Sequence, residues 1–302
     1  MPPFRLGTRG SPLALVQAHL VRDSLLAAHG WAPDRIEVVT IRTTGDRVQD
    51  RPLAEIGGKA LWTKELDGAL LGGLTDVSVH SMKDVETFRP DELALAAMLP
   101  REEVTDRLIG ADSLAALPQG ARVGTSSPRR SAQLLARRPD LEIVAFRGNV
   151  ETRLRKIATG EADATLLASA GLRRLGHDDV GTVLEDFLPA PAQGAVGMEI
   201  RADDRRVRAW LAAIDDRATH HAVDTERRLL AGLGGTCRSA VAALATVEDG
   251  EVRLRGEILS PDGFEVQACD SRFAPDDLAA PAELARRLLD RASPALRALF
   301  AA

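Results

Sequence analysis

This chain has little of what holds a secreted or membrane-embedded protein together. Its 302 residues include two cysteines, Cys237 and Cys269, so no disulfide framework supports the fold and a reducing compartment is implied. No apolar run reaches ~18 residues and no secretory h-region is present, which argues against a membrane span and for a cytoplasmic protein. Internal repeats and low-complexity tracts are absent. Basic residues are outnumbered, 39 Lys and Arg against 44 Asp and Glu for a net charge of −5. That excludes a nucleic-acid binder working by bulk electrostatics. Lysine is rarer still, with four (Lys59, Lys64, Lys83, Lys156) against 35 arginines. Arginine richness is first a compositional bias, so the few lysines carry the information.

The length predicts two to three domains. Ser11-Pro12 is a good helix opening, an N-cap serine followed by proline at the first helical position, and Gly30 closes that helix. Ile36 to Ile41 is β-branched and reads as a strand. A helix is expected over about 60–71, with strands at Val77–His80 and Leu93–Met98. After Pro100 the pattern restarts: a strand end at Arg122–Gly124, a helix from Ser127-Pro128 and a strand at Leu141–Phe146. A helix capped by Asn149 and a strand at Ala164–Leu167 follow. Such alternation predicts parallel sheets covered on both faces, with ligands bound beyond the carboxyl ends of the strands. From about Ala218 a helix, a glycine turn and three consecutive strands (Ala242–Val247, Glu251–Leu259, Glu265–Asp270) predict a small α+β domain closed by a helix over about 281–291.

Charged segments fall at those strand ends. They are Arg9-Gly10-Ser11, Ser81-Met82-Lys83-Asp84, Thr125-Ser126-Ser127-Pro128-Arg129-Arg130 and Arg147-Gly148-Asn149, with Arg153 one turn beyond Asn149. Two guanidiniums in a first helical turn oppose the helix dipole unless an anion lies between them, and planar forks suit carboxylates. Asp84 among cations is either a salt-bridge partner or a group that meets developing positive charge. Cys237, on the turn Gly234-Gly235-Thr236-Cys237-Arg238, is by spacing alone either an inert thiol or a tether. Cys269, in an alternating strand, reads as inert. His80, His220 and His221 lack the partner spacing of a metal site, and no metal is expected.

The chain resembles the hydroxymethylbilane synthase (porphobilinogen deaminase) family. The strings LGTRGSPLAL (6–15), GGKALWTKEL (57–66), DVSVHSMKDV (76–85), VGTSSPRRSAQL (123–134), FRGNVETRL (146–154), LLASAGLRRLG (166–176), LPAPAQGAVGMEI (188–200) and GGTCR (234–238) stand in family order across nearly the whole chain. The resemblance implies an α/β fold: two doubly wound, type 2 periplasmic-binding-protein-like domains and a small C-terminal α+β domain carrying the cofactor cysteine. Domain 1 would be discontinuous (1–99 and 194–215), domain 2 would span 100–193 and domain 3 216–302.

The implied reaction joins four porphobilinogen molecules head to tail, releasing ammonia each time, into linear hydroxymethylbilane for tetrapyrrole and heme biosynthesis. The implied cofactor is one covalent dipyrromethane, a thioether on Cys237. Asp84 would be the catalytic carboxylate. Carboxylate-bearing pyrroles would be bound by Arg9, Ser11, Lys59, Trp62, Ser81, Lys83, Thr125, Ser126, Ser127, Arg129, Arg130, Arg147, Gly148, Asn149, Arg153, Ala168 and Gln193. The partners are porphobilinogen and the growing pyrrole chain, with no nucleic acid and no membrane, and the family implies a monomer. The chain departs from the family pattern at Glu86 and Ala240, where proline is usual, and at Ala192, where glycine is common. Trp62 replaces a common phenylalanine and Glu55 a frequent lysine. Two rival readings are a non-catalytic two-lobed anion- or solute-binding protein and a phosphate-ester enzyme. The first does not need Cys237, and the second lacks a P-loop and a carboxylate pair for a metal.

Overall fold

The computed structural model describes residues 3–42, 63–236 and 239–300. The chain separates into two compact units, Met1–Glu102 with Gly194–His220, and Glu103–Gln193 with His221–Ala302.

In the first unit β1 (Phe4–Arg9) runs into α1 (Pro12–His29). The Ser11 hydroxyl accepts the Ala14 N–H at 3.3 Å, and Gly30 ends the helix at φ 62°, a left-handed conformation that favours glycine. There follow β2 (Ile36–Ile41), α2 (Lys64–Leu71), β3 (Val77–Ser81), a 3-10 turn at Met82–Asp84 and β4 (Leu93–Met98). A fifth strand, β10 (Val196–Arg201), comes from far downstream and leads into α6 (Arg205–Leu211). The sheet order is β2-β1-β3-β10-β4. Leu6, Val21, Leu25, Val77, Val79, Met198 and Ile200 fill the core.

The second unit repeats the design. It contains β5 (Asp106–Ile109), β6 (Arg122–Gly124), α3 (Pro128–Arg137), β7 (Glu142–Val144), α4 (Val150–Ala158), β8 (Ala164–Ala168), α5 (Ser169–Arg174) and β9 (Thr182–Leu184). The sheet order is β7-β6-β8-β5-β9.

The alternating pattern predicted parallel sheets, but both sheets are mixed. β10 runs antiparallel to β3 and β4, and β5 antiparallel to β8 and β9. Both exceptions come just after the chain crosses from one unit to the other, at 193–194 and 102–103. They are not fed by a βαβ crossover, the connection that makes neighbouring strands parallel.

The C-terminal part has the expected α+β composition. α7 (Arg217–Gly232) leads through the glycine turn to the antiparallel meander β11 (Val241–Glu248), β12 (Glu251–Leu259) and β13 (Val266–Phe273), covered by α8 (Ala280–Arg291) and α9 (Pro294–Ala298). Leu229, Leu233, Val252, Leu254, Ile258, Leu284 and Leu288 form its core. It joins the second α/β half through specific contacts. The Ala243 N–H donates to the Pro189 carbonyl at 3.0 Å, and Gln133 donates to Glu257. Gly263, at φ 74°, lies against the backbone of Ala132 and Ala136 on α3, where any Cβ would collide.

Candidate functional site

In the first unit, the carboxyl ends of β1 and β3 meet the start of α1. Arg9 is the last residue of β1, Ser11 caps α1, and Ser81 ends β3 immediately before the Met82–Asp84 turn. Arg9, Ser11, Gln17, Thr63, His80, Ser81, Asp84 and Val85 line one concavity, with Leu13, Ala14 and Val79 as its apolar wall. Lys83 is half-buried in the same turn as Asp84. The Asp84 carboxylate is also half-buried and has no hydrogen-bond or ion-pair partner among the described residues. A carboxylate left in that state at the mouth of a concavity is available to a ligand.

Gln17 was not singled out by sequence. It is 3% exposed and shares two short contacts with the Ser81 hydroxyl, 2.8 Å from Nε2 and 2.9 Å from Oε1. The pair fixes the end of β3 against α1. Its one sequence signal is a polar residue on the Ala18–Val21–Leu25 face of the helix.

Behind the concavity, Glu199 on β10 is buried and bonded to Arg89, with His80 Nε2 3.4 Å away. Burial opposes the Glu199 charge, but His80 and Arg89 outweigh it and hold its pKa at about 2.

In the second unit, the ends of β6, β7 and β8 carry the remaining candidates. Thr125 Oγ1 accepts the Ser127 N–H at 3.2 Å, Ser126 Oγ donates to the Phe146 carbonyl at 2.6 Å, and Ser127 Oγ accepts the Arg130 N–H at 3.4 Å as N-cap of α3. Asn149 caps α4, its Oδ1 accepting the Thr152 N–H at 2.9 Å. Arg153 Nε donates to the Gly148 carbonyl at 3.1 Å, and Arg147 is half-buried at the entry to this turn. Gly148 has φ 116°, and a Cβ there would press on Thr152, so the turn requires glycine. Ala168 ends β8 and precedes α5, half-buried.

Arg129 and Arg130 differ from the sequence expectation of forks facing a ligand. They are 3% and 6% exposed, and both bind Asp106 at the start of β5. Arg129 Nη2 donates to Asp106 Oδ2 at 2.8 Å, and Arg130 donates to Oδ1 at 2.7 Å from Nη2 and to Oδ2 at 3.2 Å from Nε. Arg129 Nη1 also donates to Gln133 and to the Leu188 carbonyl, and Arg130 Nη1 to the Leu166 carbonyl, while Arg129 Nε has no partner among the described residues. The anion that two cations at a helix start demand is thus the protein's own. Burial would raise the Asp106 pKa, but the charges of Arg129 and Arg130 hold it far below the usual carboxylate range. Arg129 and Arg130 thus share the one Asp106 carboxylate under the α3 start, with Glu257 also acting on Arg129. Gln193 is likewise buried, with Nε2 donating to the Val104 carbonyl at 2.7 Å and to Asp106 Oδ1 at 3.0 Å.

Lys59, Trp62 and Cys237 lie outside the described residues. The turn leading to Cys237 is described up to Thr236. Gly234 has φ 66°, and a Cβ there would lie 2.7 Å from the Phe300 carbonyl oxygen. A Cβ on Gly235 would lie 2.7 Å from Leu230 Cδ1, and the Thr236 N–H donates to Ser239 Oγ at 3.1 Å. The backbone leading to the cysteine is therefore pinned from both sides. At Cys269 burial raises the thiol pKa, which suppresses the thiolate and its reactivity. A pinned approach to a cysteine, together with hydroxyls and cations at helix starts, fits a thiol-tethered group rich in carboxylates.

Each α/β half carries hydroxyls and cations at its strand ends, and in the first Asp84 has no partner among the described residues; such ends suit a carboxylate-bearing ligand. The chain belongs to the porphobilinogen deaminase family. Residues 4–209 match the family model described as porphobilinogen deaminase, dipyrromethane cofactor binding domain, and residues 221–291 match its C-terminal domain. The porphobilinogen deaminase of Sphingopyxis alaskensis is 55% identical over 307 residues, covering 99% of this chain and 97% of that one. That of Paracoccus denitrificans is 54% identical over 297 residues, covering 96% and 95%. Among solved structures, the Bordetella pertussis BvgS periplasmic VFT2 domain is similar with a TM-score of 0.40 and 16% identity, over 70% of this chain and 86% of that one.

Proposed function

We propose that this chain is a transferase that deaminates porphobilinogen and joins four molecules of it head to tail into linear hydroxymethylbilane. The observation that carries the assignment of the chemistry is Asp84, a carboxylate without a partner among the described residues in a concavity it shares with Arg9 and Ser11. The acetate and propionate of each pyrrole would repel Asp84, so its place there makes sense where positive charge develops. That charge appears on the methylene-pyrrole that remains when the C–N bond of the aminomethyl group breaks and its protonated amine leaves as ammonia. Asp84 stabilises it and takes up the proton released when the new carbon–carbon bond restores the aromatic ring.

Cys237 would hold the dipyrromethane, which when bound supplies the nucleophilic terminal pyrrole carbon that primes the chain. Arg9, Lys83, Arg147 and Arg153, with Lys59, receive carboxylates, and Trp62 stacks on a pyrrole. Ser11, Ser81, Thr125, Ser126, Ser127, Gly148, Asn149 and Ala168 shape the helix starts that face them. Arg129 and Arg130 act by fixing the start of α3 through Asp106, and Gln193 holds Asp106 in place. The domain division 1–99 with 194–215, 100–193 and 216–302 belongs to the same reading, as do a monomeric state and a cytoplasmic location.

The test is incubation of the purified protein with porphobilinogen, measuring ammonia and hydroxymethylbilane together. Four ammonia molecules per product molecule are expected. Porphobilinogen binding without ammonia release would make the chain a binding protein.

A further inference from the structure

Every N–H of the Arg89 guanidinium is donated. Nε reaches Glu199 Oε1 at 2.9 Å, Nη2 reaches Glu199 Oε2 at 2.8 Å and Asp67 Oδ1 at 2.5 Å, and Nη1 reaches Glu86 Oε2 at 2.8 Å and Thr63 Oγ1 at 3.2 Å. The partners lie on different segments. Glu199 belongs to β10, Thr63 and Asp67 to the start of α2, and Glu86 follows Asp84 by two residues. Thr63 occupies the N-cap of α2 yet makes no capping bond. Its hydroxyl goes instead to Glu86 Oε2 at 2.6 Å.

Neutralising the buried Glu199 requires one guanidinium and no further carboxylate. Asp67 and Glu86 add two negative charges around the same cation, and carboxylates so placed repel one another. The arrangement therefore does more than balance charge. The turn carrying Asp84 is a single 3-10 turn without a side-chain cap, closed by a 3.3 Å bond from the Val85 N–H to the Met82 carbonyl. On its near side it is anchored by buried Met82, whose N–H donates to the Ala195 carbonyl. On its far side buried Val85 is followed at once by Glu86 and the Arg89 clamp.

We propose that Arg89, acting through Glu86, is a positioning residue that fixes the turn bearing Asp84 against β10 and the start of α2. The inference rests on the reading of Asp84 as the catalytic carboxylate. A displacement of about 1 Å at a reacting group lowers a rate by ~10²-fold, so loosening this turn acts on turnover rather than on substrate capture.

The experiment uses full-length, cofactor-loaded protein of Glu86→Ala, Glu86→Gln, Arg89→Lys, Asp84→Asn and the double variant Asp84→Asn/Glu86→Ala. Loaded sites are counted by the colour of the bound dipyrromethane. The readouts are kcat per loaded site, KM for porphobilinogen, and hydrogen exchange of the segment 82–88. Glu86→Ala is expected to lose about 10- to 100-fold in kcat per loaded site, with KM within about twofold and faster exchange at 82–88. Glu86→Gln keeps part of the rate because its amide still accepts from Arg89. Arg89→Lys keeps a charge against Glu199 but loses the fork, and its kcat should also fall. Because Glu86 works through Asp84, the double variant should be no slower than Asp84→Asn alone. Wild-type kcat per loaded site in both Glu86→Ala and Arg89→Lys, or independent multiplication of the two losses in the double variant, overturns the positioning role while leaving Asp84 as catalyst. Wild-type turnover by Asp84→Asn overturns the reading of Asp84 itself, and the positioning role with it.

Discussion

The Glu226 carboxylate, wholly buried on α7, accepts the backbone N–H of Ala192 at 2.6 Å. Ala192 has φ 62°, a left-handed conformation that L-residues with a Cβ rarely adopt. The other Glu226 oxygen accepts the Ala245 N–H on β11 at 2.7 Å. One carboxylate thus ties the strained residue before Gln193 to the edge of the C-terminal sheet. Replacing Glu226 with Leu leaves two buried donors without that acceptor, at about 1–3 kcal/mol each, and urea unfolding should show a total loss of about 2–6 kcal/mol. Ala192→Gly relieves the left-handed strain at a smaller entropic cost and should leave stability unchanged or raise it by up to about 1 kcal/mol.

Asp106 is expected to govern the second unit. Asp106→Asn leaves Arg129 and Arg130 buried without the carboxylate they share, a change of about 3–5 kcal/mol. Thermal unfolding should fall accordingly, and cofactor loading should fail with it. Arg130→Leu, which leaves Arg129 to neutralise Asp106, should destabilise less and impair loading or the first additions more than it impairs folding. Loading and turnover equal to wild type in that variant would remove Arg130 from the site.

Acid should unfold the protein through the same carboxylates. Glu199 falls from its ordinary value of 4.5 to about 2 in the folded state, and Asp106 is depressed from 3.8. A depressed carboxylate contributes stability that is present above its unfolded value and lost as pH falls through the folded one. Asp67, raised by burial, has the opposite sign and offsets part of that loss. Denaturation midpoints should therefore hold down to about pH 4.5 and fall steeply towards pH 2. A flat midpoint between pH 4.5 and 3 would contradict this assignment.

Cys237→Ala should lack the mass increment of a tethered dipyrromethane and its colour with acidic aldehyde reagent, whereas Cys269→Ala should keep both. Burial already disfavours the Cys269 thiolate. An adduct persisting without Cys237 would move the tether elsewhere.

Asp84→Asn should fold, carry cofactor when supplied with preassembled tetrapyrrole, and turn over about 10²–10³-fold more slowly. Asp84→Glu should keep some activity because the charge survives. Single-turnover chemistry as fast as wild type, with only KM raised, would make Asp84 a binding residue.

Local rules made much of this legible. Ser11, Ser127 and Asn149 cap helices where the sequence placed them, because capping needs only a side chain and an N–H three residues on. The three-stranded meander was readable from its turns at Asp249-Gly250 and Pro261–Gly263. The fate of Arg129 and Arg130 was not. Asp106 lies more than twenty residues upstream on a strand with no motif of its own, and nothing local distinguishes an arginine facing a ligand from one facing a buried aspartate. Gln17 and Arg89 escaped for the same reason, their partners being 64 and 110 residues away.

The placement of β10 has a consequence for synthesis. Among the described residues β4 pairs with β10 and with no other strand, yet β10 begins roughly a hundred residues after β4 ends. At translation speeds of about 5–20 residues per second, β4 leaves the ribosome some 5–20 s before its partner exists. Throughout that interval Leu93–Met98 is an apolar segment lacking its one strand partner among the described residues, a template for pairing with another nascent chain. The sheet of the second unit draws all its strands from 106–184 and can be complete while the first still waits. Slowing elongation between residues 100 and 195 should therefore lower soluble yield, and holdase chaperones should restore it.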